Sequence, residues 1–389
     1  MIWKIVTDVC LILATFPFCY YLITLYSSWR FFQSGHRTDT QAPHSVFLPP
    51  ISNLKPIRGL DPDAYENFAS LCRQDYPEYE LLFCVSSLSD PAVPALERLA
   101  KDFPERSIRI IVGSNRTGAN DKVAKLARLT GEALYEHLVI NDSDVRVGPD
   151  YFRTIIAPLA NQKVGGVTCL YVSTETKTFA EKLQWVGMIS DFFASILTAR
   201  QLDGVKFALG TTIATTKTRL SEFGGYDAIV NRPADDLLIG RLIAEQGHLV
   251  ELLPYSVETV SDYGSMPELL QKRLRWIVVM RHLRPGGHLG LIFTQGLAWS
   301  LIAIAIHPTW TVTAAYLGAY IVLRVAMTWT IGAWGLKQSA LWRKIPLILA
   351  WDAVAFVLWL VSFTRDTIRW RGGRYYIRGG KLIPAPSAE

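Results

Sequence analysis

Hydrophobic positions along the chain are gathered in two blocks that flank a segment of alternating polarity. No charged residue occurs at positions 9–29, and no Lys, Arg, Asp or Glu occurs at positions 285–323. About twenty helical residues are enough to cross a hydrocarbon core of roughly 30 Å. The pattern therefore predicts an N-terminal membrane anchor within residues 5–29 and membrane helices within residues 287–363.

The C-terminal block is predicted to hold about three membrane helices, at residues 289–306, 310–333 and 345–363. His307-Pro308 separates the first two, because a proline breaks a helix from its interior. Arg324 and Asp352 are the charged residues inside these segments. Charges at such a depth are costly and normally pair, so we expect these two side chains to approach each other.

Between the two blocks, strand-like and helix-like segments alternate. Strands are predicted at residues 46–54, 81–85, 108–112 and 137–140, with helices at 64–73, 92–101 and 121–130. This alternation predicts an α/β fold with a doubly wound, mostly parallel sheet over residues 44–263. Ligands of such sheets bind beyond the carboxyl ends of the strands, so polar residues at those ends are the candidates for a site.

The net positive charge of the chain comes mostly from its C-terminal tail and does not by itself indicate a binding partner. The 389 residues are 19% charged with a net charge of +6, and the tail at residues 364–389 holds six basic and two acidic side chains. A basic stretch beside an apolar segment is typical of a membrane surface, so no nucleic-acid partner is expected. Five scattered cysteines show neither a disulfide framework nor metal-ligand spacing.

The basic tail conflicts with the predicted number of crossings. Arg30, His36 and Arg37 follow the anchor, so the positive-inside rule places the next segment in the cytoplasm. Four full crossings would put the C-terminus outside, whereas basic residues favour the cytoplasm. We favour a cytoplasmic tail, which requires a re-entrant or interfacial segment at 345–363 or one miscounted segment.

Residues 264–286 are predicted to form an amphipathic helix at the membrane interface. Basic residues there interleave with apolar ones directly before the C-terminal block. They are Lys272, Arg273, Arg275, Arg281, His282 and Arg284.

Asp142 and Asp144 stand one residue apart, directly after the fourth predicted strand. Such an oxygen-rich corner suits Mg²⁺ or Mn²⁺, which take one or two carboxylates together with phosphate oxygens and water. The alternative is a solvent-facing or capping turn, and the position after a strand favours the metal. The chain has no Gly-x-Gly-x-x-Gly or Gly-x-x-x-x-Gly-Lys-Ser/Thr motif, which weighs against dinucleotide-binding and P-loop enzymes.

Other charged residues stand at the ends of predicted elements. Lys55 follows the first strand, Asp90 follows the second, and Lys122 lies near a helix start where it could meet phosphate. A turn residue beside Pro91 and a solvated lysine are the ordinary alternatives for Asp90 and Lys122. Asp235-Asp236 opens a later helix, where one carboxylate serves as a cap and leaves the other free to act as a base.

Six short motifs occur in one order along the chain: LKPIRG at 54–59, DPA at 90–92, NDKV at 120–123, NDSDVRV at 141–147, ADD at 234–236 and RW at 275–276. Together they resemble the membrane-anchored, GT-A-fold glycosyltransferases, in particular the ceramide glucosyltransferases and the bacterial hopanoid-associated glycosyltransferases. The resemblance covers residues 48–290 and the placing of the membrane segments.

The resemblance implies an inverting glycosyltransferase that moves one hexose or N-acetylhexosamine from a UDP-sugar to a hydroxyl of a membrane lipid. It implies a catalytic domain in the cytoplasm at a bacterial inner membrane. Ceramide, a hopanoid polyol, diacylglycerol and a sterol all stay open as the lipid. The sequence leaves the donor sugar and the oligomeric state open.

The resemblance also implies a role for each motif residue. The nucleotide-sugar would be bound by Lys55, Asp90, Lys122, Asp142, Arg275 and Trp276. Asp142 and Asp144 would hold the Mg²⁺ or Mn²⁺, and Asp236 would be the catalytic base. One departure concerns the Q/R-x-x-R-W box of the family, whose first position is Lys272 here.

Two other functions remain open. A processive polysaccharide synthase of the chitin, cellulose or hyaluronan type shares the aspartate and Arg-Trp motifs, although four membrane segments are few for a polymer pore. A non-catalytic scaffold with a transferase-like domain is the second alternative, and the presence of every acidic position weighs against it.

Overall fold

The computed structural model describes residues 2–38, 47–114, 118–173, 176–260, 264–370 and 373–385. The boundaries predicted at residues 44 and 263 lie outside them. The helices in chain order are α1 Ile2–Leu13, α2 Phe16–Thr38, α3 Ala64–Cys72, α4 Val93–Asp102, α5 Asp121–Glu132, α6 Tyr151–Ile156, α7 Phe179–Gly187, α8 Ala194–Asp203, α9 Lys217–Glu222, α10 Asp235–Glu245, α11 Met266–Leu283, α12 Pro285–Gly290, α13 Gly296–Ile306, α14 Trp310–Trp329 and α15 Leu347–Ser362. The strands are β1 Ile51–Pro56, β2 Tyr79–Val85, β3 Ser107–Val112, β4 His137–Ile140, β5 Val145–Arg146, β6 Val164–Ser173, β7 Ile213–Thr216, β8 Leu249–Thr259, β9 Thr367–Trp370, β10 Gly373–Arg378 and β11 Lys381–Pro384.

An eight-stranded sheet with the order β3-β2-β1-β4-β7-β6-β8-β5 forms the centre of residues 47–260, the sheet domain. The first four strands in that order are parallel, and so are β6 and β8. β7 runs antiparallel between β4 and β6, and β5 pairs antiparallel with β8. The α/β, mostly parallel fold is therefore confirmed. Of the two antiparallel strands, β5 directly follows the corner after β4, and β7 lies in the second half of the domain, where the sequence no longer alternates regularly.

Helices cover both faces of this sheet, which explains why β1 and β2 are buried along their whole length. Along β2, Leu81 and Phe83 pack on the side of α3 and α4. Leu82 and Cys84 pack on the opposite side, against α5. Because successive side chains of a strand point to opposite faces of the sheet, neighbouring residues of β2 belong to separate hydrophobic cores.

Two helices among the described residues are long and apolar enough to cross a membrane, at Ile2–Ser34 and Trp310–Gly335. The pair Pro285–Thr294 and Gly296–Ile306 is bent by 56° and makes a third if it counts as one span. α15, with 16 residues, is shorter than either candidate. The three predicted C-terminal segments thus correspond to one broken pair, one full-length helix and one short apolar helix.

Both ends of α15 contact the side of the molecule that carries the sheet domain. Before α15, the Lys344 ammonium donates to Thr176 Oγ1 at 2.5 Å. After it, the Arg281 guanidinium of α11 donates to the carbonyls of Phe363 and Arg365 at 3.1 and 2.8 Å. Both ends of α15 are therefore bonded to segments that precede the C-terminal apolar block.

The basic tail folds into the three-stranded sheet β9–β11, which packs on α11. The contact buries Ile368, Ile377 and Leu382 of the tail against Val278 and Val279 of α11. The Leu382 N–H also donates to the carbonyl of Asn231 in the sheet domain at 2.7 Å. The tail therefore lies on the same side of the membrane helices as the sheet domain.

Arg324 and Asp352 form an ion pair between α14 and α15, as the sequence predicts. Arg324 Nε donates to Asp352 Oδ2 at 2.9 Å, and a second guanidinium nitrogen contacts Oδ1. The Tyr320 hydroxyl donates to Asp352 Oδ2 at 2.7 Å, and Arg324 also donates to the carbonyl of Ser190. Every charge of this buried pair is therefore met by a partner.

Candidate active site

A cavity of about 650 Å³ lies between the sheet domain, α11 and α15. Its polar end is lined by Lys122, Asp142, Asp235, Asp236 and Arg275. Its other end is lined by apolar side chains of α11, the 291–294 turn and α15, namely Trp276, Met280, Leu291, Trp351, Ala355 and Leu358. The cavity thus joins a cluster of charges to the membrane-facing helices.

Lys122 lies at the centre of the polar end, in the first turn of α5. Asn120 caps this helix by accepting from the Val123 N–H. The ammonium of Lys122 is 2.7 Å from Asp142 Oδ1 and 3.0 Å from Asp235 Oδ2. Burial alone would lower the pKa of Lys122, but the neighbouring carboxylates outweigh it and raise that pKa above its usual value. The ammonium is therefore charged at neutral pH and ties α5, the loop after β4 and α10 together.

Asp236 is held rigidly in the first turn of α10. The Gly210 N–H donates to its Oδ2 at 3.0 Å, and the Leu237 N–H donates to Oδ1 at 2.8 Å. Ala234, two residues earlier, has a φ of 56°, a conformation that is strained for a residue other than glycine and clusters at active sites. Burial and the Asp235 carboxylate raise the pKa of Asp236 to about 6, and Lys122 opposes the shift.

Gly210 brings the backbone against this cluster. A Cβ atom at Gly210 would lie 2.8 Å from Asp142 Oδ2, 3.3 Å from Asp236 Oδ2 and 3.4 Å from Lys122 Nζ. The absence of a side chain lets the peptide N–H reach Asp236. The sequence shows only a Gly-Thr-Thr run at this place, and no short-range signal connects it with residues 142 and 236.

Asp142 and Asp144 occupy the corner after β4, as expected. Asn141 fixes the start of the corner by donating to the Tyr151 hydroxyl and to the Thr211 carbonyl, each at 2.7 Å. Burial raises the pKa of Asp144 to about 7, with further contributions from the Asp142 and Asp61 carboxylates and opposition from Lys55. The corner therefore carries more negative charge than its surroundings compensate.

That excess of negative charge fits a divalent cation. The described ranges contain no group of three or more His, Cys, Asp or Glu side chains that could hold a metal by themselves. Mg²⁺ and Mn²⁺ sites that serve phosphate substrates need only one or two carboxylates, because the substrate oxygens complete the coordination. Asp142 and Asp144 fit a metal of this kind, bound together with a diphosphate.

Lys55 and Asp90 do not line the cavity. Lys55 is fully buried, and its ammonium points at the Val145 carbonyl at 3.4 Å. The Asp90 carboxylate accepts from the Gly59 N–H at 3.1 Å and from the Ala92 N–H at 3.0 Å. Lys55 thus lies beneath the acidic corner, and Asp90 holds together the loops that follow β1 and β2. Their contact with a nucleotide-sugar stays a prediction.

The Arg-Trp box lies on α11 beside the tail. The guanidinium of Arg275 is 5.9 Å from the ring centroid of Trp370 in β9. Trp276 packs on Phe192 with ring centroids 6.1 Å apart. In this stretch of α11 the cavity is lined by Arg273, Arg275 and Trp276, and Lys272 is outside the lining.

Arg273 was missed as a site residue by the sequence reasoning. It is buried, and its Nε donates to Gln184 Oε1 of α7 at 2.6 Å. Its guanidinium lies 4.8 Å from the Trp351 ring centroid and 5.2 Å from that of Trp276. A basic amphipathic pattern does not reveal which of its arginines turns inward, because that depends on packing against α7 and α15.

The sheet order and the position of the carboxylates beyond β4 agree with the GT-A-type fold that the six motifs imply. A family model described as glycosyl transferase family 21 matches residues 9–383, and the chain belongs to that family.

Two relatives from Caenorhabditis elegans match nearly the whole chain. Ceramide glucosyltransferase 3 is 24% identical over 390 residues, covering 95% of this chain and 81% of the relative. Ceramide glucosyltransferase 1 is 22% identical over 377 residues, covering 92% and 78%. Among solved structures, the mannosyltransferase PcManGT from Pyrobaculum calidifontis in complex with GDP-Man and Mn²⁺ superposes with a TM-score of 0.52. It is 18% identical and covers 90% of this chain and 99% of its own. This likeness confirms the GT-A fold.

Proposed function

We propose that this chain, a glycosyltransferase that acts on lipid, moves one hexose or N-acetylhexosamine from a UDP-sugar to a lipid hydroxyl with inversion at the anomeric carbon. The acceptor is of the ceramide or hopanoid type. The observation that carries the proposal is the single cavity that joins Asp142 and Asp236 to the apolar wall of α11 and α15. A donor and a lipid can meet there at one place.

Asp236 is the proposed catalytic base. Its carboxylate would take the proton of the acceptor hydroxyl as that oxygen attacks the anomeric carbon from the face opposite the diphosphate. The two backbone N–H groups that bind Asp236 fix its position. Assistance of this kind is typically worth about 10²–10⁴-fold in rate.

The leaving diphosphate gains negative charge during the transfer. Lys122 and Arg275 both line the cavity and would neutralise that charge as it develops. A divalent cation held by Asp142 and Asp144 would supply Lewis-acid stabilisation of the same oxygens. Trp276 would close the site over the diphosphate and the acceptor.

The lipid would enter from the membrane side. Trp276, Met280 and Leu358 give the cavity an apolar wall that can cover the upper part of an acyl chain. The acceptor hydroxyl then reaches Asp236 without extraction of the whole lipid into water. The basic residues after the anchor support a sheet domain in the cytoplasm. The resemblance to the bacterial hopanoid-associated glycosyltransferases supports a bacterial inner membrane.

The test is a transfer assay with the full-length protein in lipid nanodiscs. UDP-glucose, UDP-N-acetylglucosamine and UDP-galactose are each supplied with ceramide, a hopanoid polyol, diacylglycerol or a sterol. We expect a lipid product heavier by one sugar, with inverted anomeric configuration by NMR. A polymeric product would instead support the processive synthase, and no consumption of any UDP-sugar would support the non-catalytic scaffold.

A further inference from the structure

The C-terminal tail forms part of the wall of the cavity, in addition to packing on α11. Ile368 and Trp370 of β9 both line the cavity. The Arg275 guanidinium, which lines the same cavity, lies 5.9 Å from the centroid of the Trp370 indole. The ring of Tyr375 in β10 packs on that indole, with the ring centroids 6.3 Å apart. Trp370 therefore contacts both the tail sheet and an arginine of the candidate active site.

The start of the tail is bonded to α11 through one arginine. The guanidinium of Arg281 donates to the carbonyls of Phe363 and Arg365. The same guanidinium pairs with the carboxylate of Asp366, the residue before β9. These bonds fix the position of β9, and with it Trp370, relative to the helix that carries Arg275.

The last strand of the tail is bonded to the segments that carry the charges of the site. The Leu382 N–H of β11 donates to the Asn231 carbonyl at 2.7 Å. The side-chain oxygen of the same Asn231 accepts from the Ala119 N–H at 3.0 Å. Ala119 precedes α5, whose first turn holds Lys122, and Asn231 precedes α10, whose first turn holds the proposed base. One asparagine thus connects the tail with both segments.

Apolar contacts reinforce this connection. Ala119 and Ala234 pack on the cluster of buried side chains between α11 and the tail sheet. Ala234 is the residue before α10 and has the strained φ of 56°. Such a conformation persists only where the surrounding structure determines it strongly. The tail is therefore one of the elements that hold the start of α10 in place.

We infer that the tail sheet is part of the active site and that Trp370 is a positioning residue for Arg275. The indole holds the guanidinium where the leaving diphosphate gains negative charge. This inference rests on the role proposed above for Arg275, and it adds to the reaction a residue that lies outside the six sequence motifs.

An aromatic ring suits this task for an electrostatic reason. The face of an indole attracts a guanidinium within about 6 Å of the ring centroid, and tryptophan does so better than the other aromatic residues. The ring carries no net charge, so it orients the guanidinium of Arg275 without neutralising it. Lys122 differs, because the carboxylates of Asp142 and Asp235 face its ammonium. Trp370 thus holds a cation in the cavity without adding negative charge beside the diphosphate.

The first experiment is a double-mutant cycle on Trp370 and Arg275 with the full-length protein in nanodiscs. Trp370→Met keeps a large apolar side chain and removes the aromatic face. We expect kcat to fall roughly tenfold, with the KM for the lipid acceptor unchanged. In the Arg275→Ala background the same substitution should cause no further loss, because the ring acts through the guanidinium. A ring that only stabilised the fold would lower kcat by the same factor in both backgrounds.

Binding of UDP gives a second measurement that does not depend on transfer. UDP carries the diphosphate charge that develops during the reaction, so calorimetric titration of Trp370→Met should show a Kd for UDP that is roughly tenfold higher. Trp370→Phe keeps an aromatic face and should stay within roughly threefold of the parent in kcat and in UDP affinity. Tyr376→Met is the matched control and should match the parent. Its ring faces Arg378 in the same small sheet, outside the cavity lining formed by the described residues.

Thermal unfolding checks that each variant folds. If Trp370→Met does not fold, Trp370→Phe takes its place in the cycle, where a loss of roughly two- to threefold should likewise vanish without Arg275. Equal losses in both backgrounds, or unchanged kcat and UDP affinity in Trp370→Met, would overturn the role of Trp370 and leave the proposed function intact. A parent that binds UDP and transfers no sugar would overturn the proposed function, and the UDP titration would then decide whether Trp370 positions Arg275.

Discussion

Two buried clusters of charged side chains in this molecule differ: one fits a role in function, and the other fits a role in stabilising the fold. Around Lys122, one ammonium faces the carboxylates of Asp142 and Asp235, and Asp236 lies beside them. Around Arg324, the guanidinium forms an ion pair with the carboxylate of Asp352. The first cluster carries surplus negative charge and opens into a cavity, whereas the second is balanced one to one.

The difference also appears in how completely each cluster is satisfied. The Arg324 pair has further partners in Tyr320 and the Ser190 carbonyl, so it needs nothing from a ligand. Burial, and after it neighbouring carboxylates, raise the pKa values of Asp144 and Asp236, and the carboxylates around Lys122 outnumber its one ammonium. A surplus of this kind is typical of a site that awaits a cation, a proton or a substrate.

Replacing the proposed base should give the largest effect. Asp236→Asn keeps the size of the side chain and removes the charge, so we expect turnover to fall about 10²–10⁴-fold. UDP-sugar binding and thermal stability should change little, because α10 keeps its N-terminal turn. Steady-state rates and isothermal titration with UDP check this. Asp75→Asn, on an exposed surface residue, is the control, and near-normal turnover in Asp236→Asn would refute the assignment.

Breaking the balanced pair should affect folding instead of chemistry. Arg324→Met or Asp352→Leu alone leaves one buried charge without its partner, so we expect a loss of about 3–5 kcal/mol of stability. The double variant should recover most of that loss, because no charge remains. Unfolding of the detergent-solubilised protein measures all three. If the single variants were as stable as the parent, the pair would not have the structural role given to it here.

Gly210→Ala should reduce activity by a smaller amount. The added methyl group would press on Asp142 and Asp236, and a shift of about 1 Å in a catalytic group costs on the order of 10²-fold in rate. Gly131→Ala is the matched control, since its Cβ would meet nothing within 4 Å in α5. Comparable kcat values for the two variants would contradict the close packing of the site.

Asp144→Ala tests the acidic corner and should have the mildest effect on the fold. We expect weaker UDP binding and a roughly tenfold rise in the Mn²⁺ concentration needed for half-maximal rate, as for the loss of one ligand. Metal titration of both proteins measures this shift. Full activity of the parent in the presence of a strong chelator would exclude the metal from the corner.

The sequence predicts the parts of this molecule that depend on local patterns. The strand at His137–Ile140 lies where alternation places it, and the corner at Asp142–Asp144 follows from its position after that strand. Arg324 and Asp352 pair because an unpaired charge within an apolar segment is costly. In each case, the prediction follows from the pattern of polar and apolar residues around the position.

The remaining features depend on contacts between distant segments. Gly210 lies 68 residues from Asp142, and only the folded sheet brings the two together. Arg273 looks like one more basic residue of an amphipathic helix until α11 packs against Gln184 of α7. The sequence of the tail indicates only a basic segment at a membrane surface. Its apolar residues Ile368, Ile377 and Leu382 are too few to predict that the tail packs as a sheet.

Mass spectrometry of lipids from cells that express the parent protein or Asp236→Asn at equal abundance tests the central claim most directly. We predict a lipid class in the parent cells that is heavier by one hexose or N-acetylhexosamine, and its absence with Asp236→Asn. The same glycolipid in both cells, or a polymer in place of a single sugar, would contradict it.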